Sequence, residues 1–406
     1  MELLFTTLSN TQFAQLKLEF YGPHVSLFSS DTNIASVTLQ TCLKQHPDHE
    51  TTIKEFLFTH VLQKCMDKNL YGMAFVQQLL WEYSQCLPDL QTMWIPNLVD
   101  HALQLISTRP GAHVVSQCAA YGTAKDRKRL LKAFKGYVRS SLLHKHAHLP
   151  ILQLVLSTDD TVSVGKSLMA ELLVMPNKKI SVDDDLNKED EEVSPLLDLA
   201  LDEYASKLFL LLLHNSPDEQ RKCLDPLDQV ELNPQIDGAP TSKKNVDTRR
   251  LECLQPLREA LIELCRQHAA QLLAVPTGSR VLERAVLTWP QDLIDALAKA
   301  CRDEALWDHA VGHLAIKHLL QVSSDFARAV VLPSEILSSR AAFCVASWVE
   351  HQPAKDSIQQ IKAPQIEKAM KEAKKHGQAT AGFEALLKVV NSGGKRETEK
   401  SKKTKQ

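Results

Sequence analysis

The chain has 406 residues, with 47 Lys plus Arg against 49 Asp plus Glu and a formal net charge of −2. A balance this close to neutral excludes a globally basic nucleic-acid binder, so any site for a polyanion must be a local patch. Only 13 glycines and 6% aromatic residues argue against sandwiches, barrels and glycine-loop nucleotide folds, and leave a helix-dominated chain.

The start, MELLFTTLSN, lacks the basic residues and long apolar core of a signal peptide. The first helices carry Leu3, Leu4, Phe5, Phe13, Leu16, Leu18, Phe20 and Tyr21, with Glu2, Lys17 and Glu19 as their charges. An end repeat of a helical array needs a polar cap. This start therefore reads as an exposed apolar end, and the chain as an array lacking its first repeats. Further on, apolar residues recur at helical spacing almost everywhere. A small residue at a helix start followed by an apolar pair returns repeatedly, as in LYGMAFVQQLL, RPGAHVVSQC, PTGSRVLERAVL and HAVGHLAIKHLL. Gly72 and Gly111 are 39 residues apart, and Gly111 and Ala147 are 36 apart. A helical period in the thirties is the signature of a solenoid.

In KDRKRLLKAFKGYVR, Leu130, Leu131, Phe134 and Val138 share one helix face. Lys125, Lys128, Arg129, Lys132, Lys135 and Arg139 form a stripe on the opposite face, and Asp126 is the one acid nearby. An ordinary exposed face mixes signs to gain i,i+4 pairs. Six cations without partners repel one another, and a polyanion would neutralise them. Residues 176–195, with DDDLNKEDEE, read as a solvated acidic loop. The longest apolar run, Leu208 to Leu213, is far short of the ~18 residues of a membrane span. Residues 228–248, with NPQIDGAPTSKKN, read as a solvated linker. Lys243, Lys244, Arg249 and Arg250 stand there just before a helix over 251–271. Loop cations at a helix start can join its orphan N–H groups in holding a phosphate. The last fifteen residues, SGGKRETEKSKKTKQ, read as a disordered basic tail.

Constellations for catalysis are poor. His309 and His313 are spaced like zinc ligands on a helix, but Ala310 stands where a water-activating Glu would be. His144 and His148 could share a helix face, and capping or packing is the simpler role. Gly165-Lys166-Ser167 lacks the earlier glycine of a phosphate loop. The nine cysteines are scattered, with no C-x-x-C spacing. They read as small hydrophobes in a reducing compartment, cytosol or nucleus. No enzyme, cofactor or metal site is expected.

One stretch is more specific. RPGAHVVSQCAAYGTAKDRKRLLKAFKGYV, with its Gly-small-x-Val helix start and its Gly-Thr-x-Lys-Asp-Arg-Lys turn, resembles the Pumilio-homology repeats of the nucleolar Puf-A branch. FYGPHVSLF, EYASKLFLLLLHNSPDE, SKKNVDTRRLECLQPLREALIELCRQHA and HAVGHLAIKHLL resemble further segments of that branch, in the right order. The resemblance implies an all-α chain, an α-α superhelix of the Pumilio/armadillo type. Pumilio-like repeats would occupy 1–227, a linker 228–248, a CPL-type helical region 249–391 and the basic tail 392–406. It also implies a nuclear and nucleolar RNA- or DNA-binding factor in ribosome biogenesis, rRNA processing or translation regulation. Its partners would be rRNA or mRNA and pre-ribosomal proteins.

Base-reading Pumilio repeats use two edge-contacting side chains and a stacking residue per repeat. That pattern falls here on Met73/Gln77, Ala112/Ser116, His148/Leu152 and Ser206/Leu210, most of which include an apolar residue. Only Ser279 with Glu283, and Arg280 between them as the stacker, matches a guanine-reading set. The code is not kept, so phosphate contacts with little base choice are expected. The rival reading is a protein-binding scaffold. A continuous positive face joining 125–139 to 243–250 would favour nucleic acid, and separated patches the scaffold.

Overall fold

A computed structural model describes residues 3, 7–26, 37–87, 94–175, 194–226, 228, 230–333, 338–351 and 363–391. The acidic run through Glu192, the basic tail and Glu2, Leu4 and Phe5 lie outside the described residues. The regular structure is almost entirely helical; among the described residues one two-residue hairpin is the exception.

The chain forms two compact units. The first joins Met1–Val174 with Asn215–Pro256, and the second joins Met175–His214 with Leu257–Gln406. These divisions differ from the breaks expected at 227 and 249. The 230–244 segment is hydrogen-bonded into the first unit, as shown below, while the apolar helix Ser206–Leu213 packs within the second. The helices that matter below are α1 (Asn10–Tyr21), α2 (Ala74–Ser84), α3 (Arg109–Tyr121), α4 (Ala124–Phe134), α5 (Val138–Leu142), α6 (His148–Ser157), α7 (Ser206–Leu213), α8 (Pro276–Thr288), α9 (Gly312–Val322) and α10 (Ser339–His351).

In the first unit α3 packs against both α2 and α6. In the second, α7, α8, α9 and α10 pack each on the next. The recurring small residue explains this stacking. A Cβ added at Gly111 would lie 1.9 Å from the Leu105 carbonyl oxygen. At Gly278 it would meet the Leu272 oxygen at 2.9 Å, and at Gly312 the Leu306 oxygen at 2.8 Å. The glycine and the carbonyl are six residues apart each time, so the same close approach recurs in both units.

The helix starts are capped by a common device. His144 Nδ1 accepts from the N–H groups of His146 (3.3 Å) and Ala147 (3.2 Å). His309 Nδ1 accepts from those of Val311 and Gly312, both at 3.3 Å. Asp202 Oδ1 takes the N–H groups of Tyr204 and Ala205 at 2.8 Å. Each satisfies donors that a helix start leaves orphaned. His144 and His309 thus cap helices, while His148 and His313 turn Nδ1 to the carbonyl oxygens of His144 and His309. No group of three or more His, Cys, Asp or Glu among the described residues could hold a metal. Among the described residues, no helix is long and apolar enough to cross a membrane.

At the start of the chain Leu3 is exposed and Phe13, Leu16 and Phe20 are half-buried, but the later part of α1 is closed in. Leu18 and Tyr21 are buried, and Lys17, expected as a surface charge, is only 6% exposed. Its Nζ lies 2.7 Å from Glu82 Oε1. The other Glu82 oxygen accepts from the Tyr21 hydroxyl and, at 2.9 Å, from the Leu39 N–H. Burial, followed by the adjacent Glu82 carboxylate, pushes the Tyr21 phenol well above its ordinary range. This network fixes α1 against α2, because each buried charge is compensated by the other.

Two outcomes follow for stability. Gly111→Ala should destabilise the first unit by about 1–3 kcal/mol, the usual cost of an overpacked site. Gly72→Ala, where no atom lies within 4 Å, should stay within about 0.5 kcal/mol of the parent; urea denaturation of both compares them. Lys17→Met leaves Glu82 buried and uncompensated. It should cost about 3–5 kcal/mol, read as a lowered urea midpoint.

Candidate nucleic-acid interface

Helix α4 begins at a capping box. The Asp126 N–H donates to Thr123 Oγ1 at 3.3 Å, and the Thr123 N–H donates to Asp126 Oδ2 at 3.0 Å. Asp126, the one acid near the stripe, is therefore a buried cap. The helix stops at Phe134 because Lys135 is extended and Gly136 adopts φ 87, a conformation that favours glycine. Helix α5 then starts afresh. The Glu171 carboxylate takes the Gly136 N–H (2.7 Å) and the Val138 N–H (2.8 Å). The stripe expected on one helix is thus divided: Lys125, Lys128, Arg129 and Lys132 lie on α4, Lys135 in the turn and Arg139 on α5.

Nor are all six cations without partners. Arg129 Nε donates to Asp100 Oδ1 at 3.0 Å, and both terminal nitrogens reach the Pro96 carbonyl oxygen at 3.2 Å. That hydrogen-bonded guanidinium holds the Asp100 carboxyl below its usual range. Arg139 is half-buried and donates to the Leu172 carbonyl oxygen at 3.4 Å. Lys125, Lys128, Lys132 and Lys135 are exposed. Among the described residues no carboxylate lies within ion-pair distance of these four.

The second expected patch is largely internal. Lys243 is exposed. Lys244 pairs with Glu252 at 2.6 Å and donates to Thr161 Oγ1 at 3.0 Å. Arg250 is half-buried with Asp247 at 3.7 Å. Arg249 is 2% exposed and donates to Ser242 Oγ and to the Lys244 carbonyl oxygen. It cannot present its charge to solvent, because its guanidinium closes the loop before the helix Val246–Leu254. The N–H groups expected to hold a phosphate there are taken too. The Asn245 side chain accepts from Asp247 N (2.9 Å) and Thr248 N (3.3 Å). Asp160, held below its ordinary range chiefly by Ser163, also feels Lys128 and Lys244.

The 228–248 segment, expected as a solvated linker, is a strap laced onto the first unit. Its tip is a hairpin of β1 (Gln235–Ile236) and β2 (Ala239–Pro240), turned by Asp237 and Gly238 at φ 50 and 78. Leu232 and Pro234 are buried. Asp228 lies 3.5 Å from Arg109 and 3.8 Å from His148. The Gln153 carboxamide pairs with the main chain of Glu231, donating to its carbonyl at 2.9 Å and accepting from its N–H at 2.7 Å. The Tyr121 hydroxyl donates to the Glu231 carboxylate. Asp159 takes the main-chain N–H groups of Lys243 (2.8 Å) and Lys244 (3.0 Å).

Arg127 anchors the strap's second arm. It is 3% exposed and donates to the Ala119 and Ala120 carbonyls at 2.8 Å, to Thr241 Oγ1 at 2.8 Å and to the Thr241 carbonyl at 3.2 Å. Burial pushes the guanidinium down to about 10, with Asp159 opposing the shift. Arg127, Gln153 and Asp159 are the residues that sequence reasoning missed. One signal was available: Arg127 falls on the apolar side of α4, in register with Leu130, Leu131 and Phe134.

The base-edge positions are spent internally. Gln77 is fully buried and donates to the Tyr71 (2.8 Å) and Gln104 (3.0 Å) carbonyls. Ser116 Oγ donates to Ala112 O at 2.9 Å. Leu152 and Leu210 are core residues. In the second unit Ser279 Oγ donates to Pro276 O at 3.0 Å, while Glu283 lies 2.7 Å from His318 Nδ1. Arg280, between them, is exposed.

Comparison with known proteins bears on this geometry. Residues 201–329 match the family profile of the CPL (NUC119) domain. The chain is 28% identical over 306 residues to Pumilio homology domain family member 6 of Schizosaccharomyces pombe, covering 73% of this chain and 43% of that protein. It is 24% identical over 318 residues to human Pumilio homolog 3, covering 75% and 45%. It therefore spans less than half the length of these relatives. Among solved structures, human Puf-A in complex with DNA superposes with a TM-score of 0.72 at 21% identity, covering 95% of this chain and 75% of that one. PUF-8 in complex with PBE-RNA gives 0.54 at 11% identity, covering 96% of each. The chain carries a CPL domain within an all-α helical-repeat fold that is similar to that of human Puf-A.

Proposed function

We propose that this chain is a nucleic-acid-binding protein that holds single-stranded RNA, or DNA, through phosphate contacts with little base choice. The observation that carries the reading is the set Lys125, Lys128, Lys132 and Lys135, exposed and without a carboxylate partner among the described residues. Four such cations along α4 and its following turn repel one another, and a polyanion relieves that repulsion while releasing its own counterions. Lys243 is a further exposed cation in the first unit, and Arg280 an exposed one in the second. The burial of the base-edge positions supports weak base choice, since a side chain spent on main-chain carbonyls has no donor left for a base. Human Puf-A and PUF-8, whose folds this chain shares, are seen in complex with DNA and with RNA respectively, in keeping with this reading. The resemblance to the Puf-A branch extends it to a nucleolar factor in ribosome biogenesis and rRNA processing, acting as a binding protein and not as an enzyme. Its partners would then be rRNA or mRNA and pre-ribosomal proteins.

Replacing Lys125, Lys128, Lys132 and Lys135 with Glu should weaken binding of unrelated single-stranded RNAs alike. The slope of log affinity against log salt should flatten by about 3, from ~0.7 per lost phosphate contact. An unchanged affinity, or a loss confined to one sequence, would count against the phosphate reading. The tail holds Lys395, Arg396, Lys400, Lys402, Lys403 and Lys405, a basic tract suited to nuclear import or rRNA tethering. Deleting 392–406 should raise the cytoplasmic signal of a tagged chain in cells; undiminished nucleolar signal would leave the tail without an address role.

A further inference from the structure

The strap contacts one particular face of the first unit. Arg109, Ser116, Gln117 and Ala120 recur at helical spacing along α3, and Tyr121 adjoins them. The strap meets this side at Arg109, Ala120 and Tyr121. On α6 it meets His148 and Gln153. This is also the side of the expected base-edge residue Ser116. The groups engaged there are of the kinds that hold a nucleotide: a guanidinium for phosphate, a phenol and an imidazole for stacking, and a carboxamide for a base edge. The strap offers them an acidic and main-chain substitute, with Asp228 near the guanidinium and the Glu231 amide paired to the Gln153 carboxamide in both directions.

Two further observations show that the strap does not saturate this face. A cavity of about 220 Å³ lies beside Glu231, lined by Ser84, Ser116, Gln117 and Tyr121 among others. The buried Gln117 Oε1, in its lining, has no hydrogen-bond partner. His113, 6% exposed and one helical turn from Arg109, has its Nε2 unpartnered as well. Buried polar atoms without partners are uncommon, and the one at Gln117, beside a small polar cavity, marks a surface with bonding capacity to spare.

We propose that the strap, Asp228 with residues 230–244, is a built-in competitor that closes the α3/α6 face to single-stranded nucleic acid, and that its release opens a second binding face in the first unit. The proposal rests on the nucleic-acid reading given above. A face open in only a small fraction of molecules binds with its affinity reduced by that fraction, so freeing the strap should raise affinity.

The test uses the full chain with Asp228 and residues 230–240 replaced by Gly and Ser at the same length. Thr241 to Lys244 stay, so the anchors to Arg127 and Asp159 are kept. A labelled twelve-residue oligouridylate is the probe, and hydrogen exchange reports the strap. Leu232→Ser serves as a milder variant should the replacement lower the melting temperature. The expected result is faster exchange in the strap with a tenfold or greater gain in affinity, on the order set by a minor open state. Arg109→Ala with Gln153→Ala, added to the freed chain, should abolish the gain. A freed strap with unchanged or weaker binding overturns the proposal. So does a strap that exchanges only when the whole unit unfolds, which would make it a permanent part of the core. If neither the parent nor the freed chain binds, the nucleic-acid reading fails with it. Binding by the parent with no gain on release sinks the strap proposal alone.

Discussion

The repeat depends on how closely the start of one helix can approach the carbonyl six residues before it. At Gly111, Gly278 and Gly312 that carbonyl, from Leu105, Leu272 and Leu306, occupies the space of a Cβ. The N–H groups of a helix start need acceptors; Thr108 supplies one before Gly111 and His309 before Gly312, while His144 and Asp202 do the same at Ala147 and Ala205. Sterics at one atom thus dictate the small residue, and a polar cap precedes it at Gly111 and Gly312 though not at Gly278, where Val275 makes no side-chain cap. The rows of packed helices in each unit follow from their repetition.

Buried cations form the joints that this scaffold leaves open. Arg127 has five donors in a planar fork and spends them on carbonyls at the end of α3 and on Thr241. Arg249 closes the strap onto the helix that follows it. A guanidinium at 2–3% exposure is tolerated only where its donors are satisfied. Strap and arginine therefore require one another: without Thr241 the Arg127 fork would be left partly unpaired, and without Arg127 the second arm would lose its anchor. The strap is ordered by these polar contacts together with two small apolar anchors, Leu232 and Pro234.

The same division of labour decides which charges can meet a partner. Of the basic residues before the helix Val246–Leu254, burial and ion pairing leave Lys243 as the one both exposed and outside an ion pair among the described residues. On α4 the arginines turn to structural work, Arg127 inside and Arg129 on Asp100, while the lysines stay in water. Lysine suits that role, since its ammonium is strongly hydrated and its long stem needs no fixed geometry. A surface of lysines without base-reading neighbours fits a ligand recognised by charge.

The sequence by itself determined the helical class, the repeating small residue and the apolar faces of the helices, because these depend on local periodicity and on which side chains tolerate burial. It also placed the four exposed lysines, since a charge on the polar side of an amphipathic helix has one plausible destination. It could not assign Arg127, Lys17 or Arg249. A cation's fate depends on acceptors that arrive from residues distant in the chain: Thr241 for Arg127, Glu82 for Lys17 and Asp159 beside Arg249. Nor could it show that Gly136 breaks the basic stripe or that the 230–244 segment is a strap. A polar, proline- and glycine-containing stretch looks solvated until Gln153, Asp159 and Arg127 are brought up to its main chain, and only the tertiary structure brings them there.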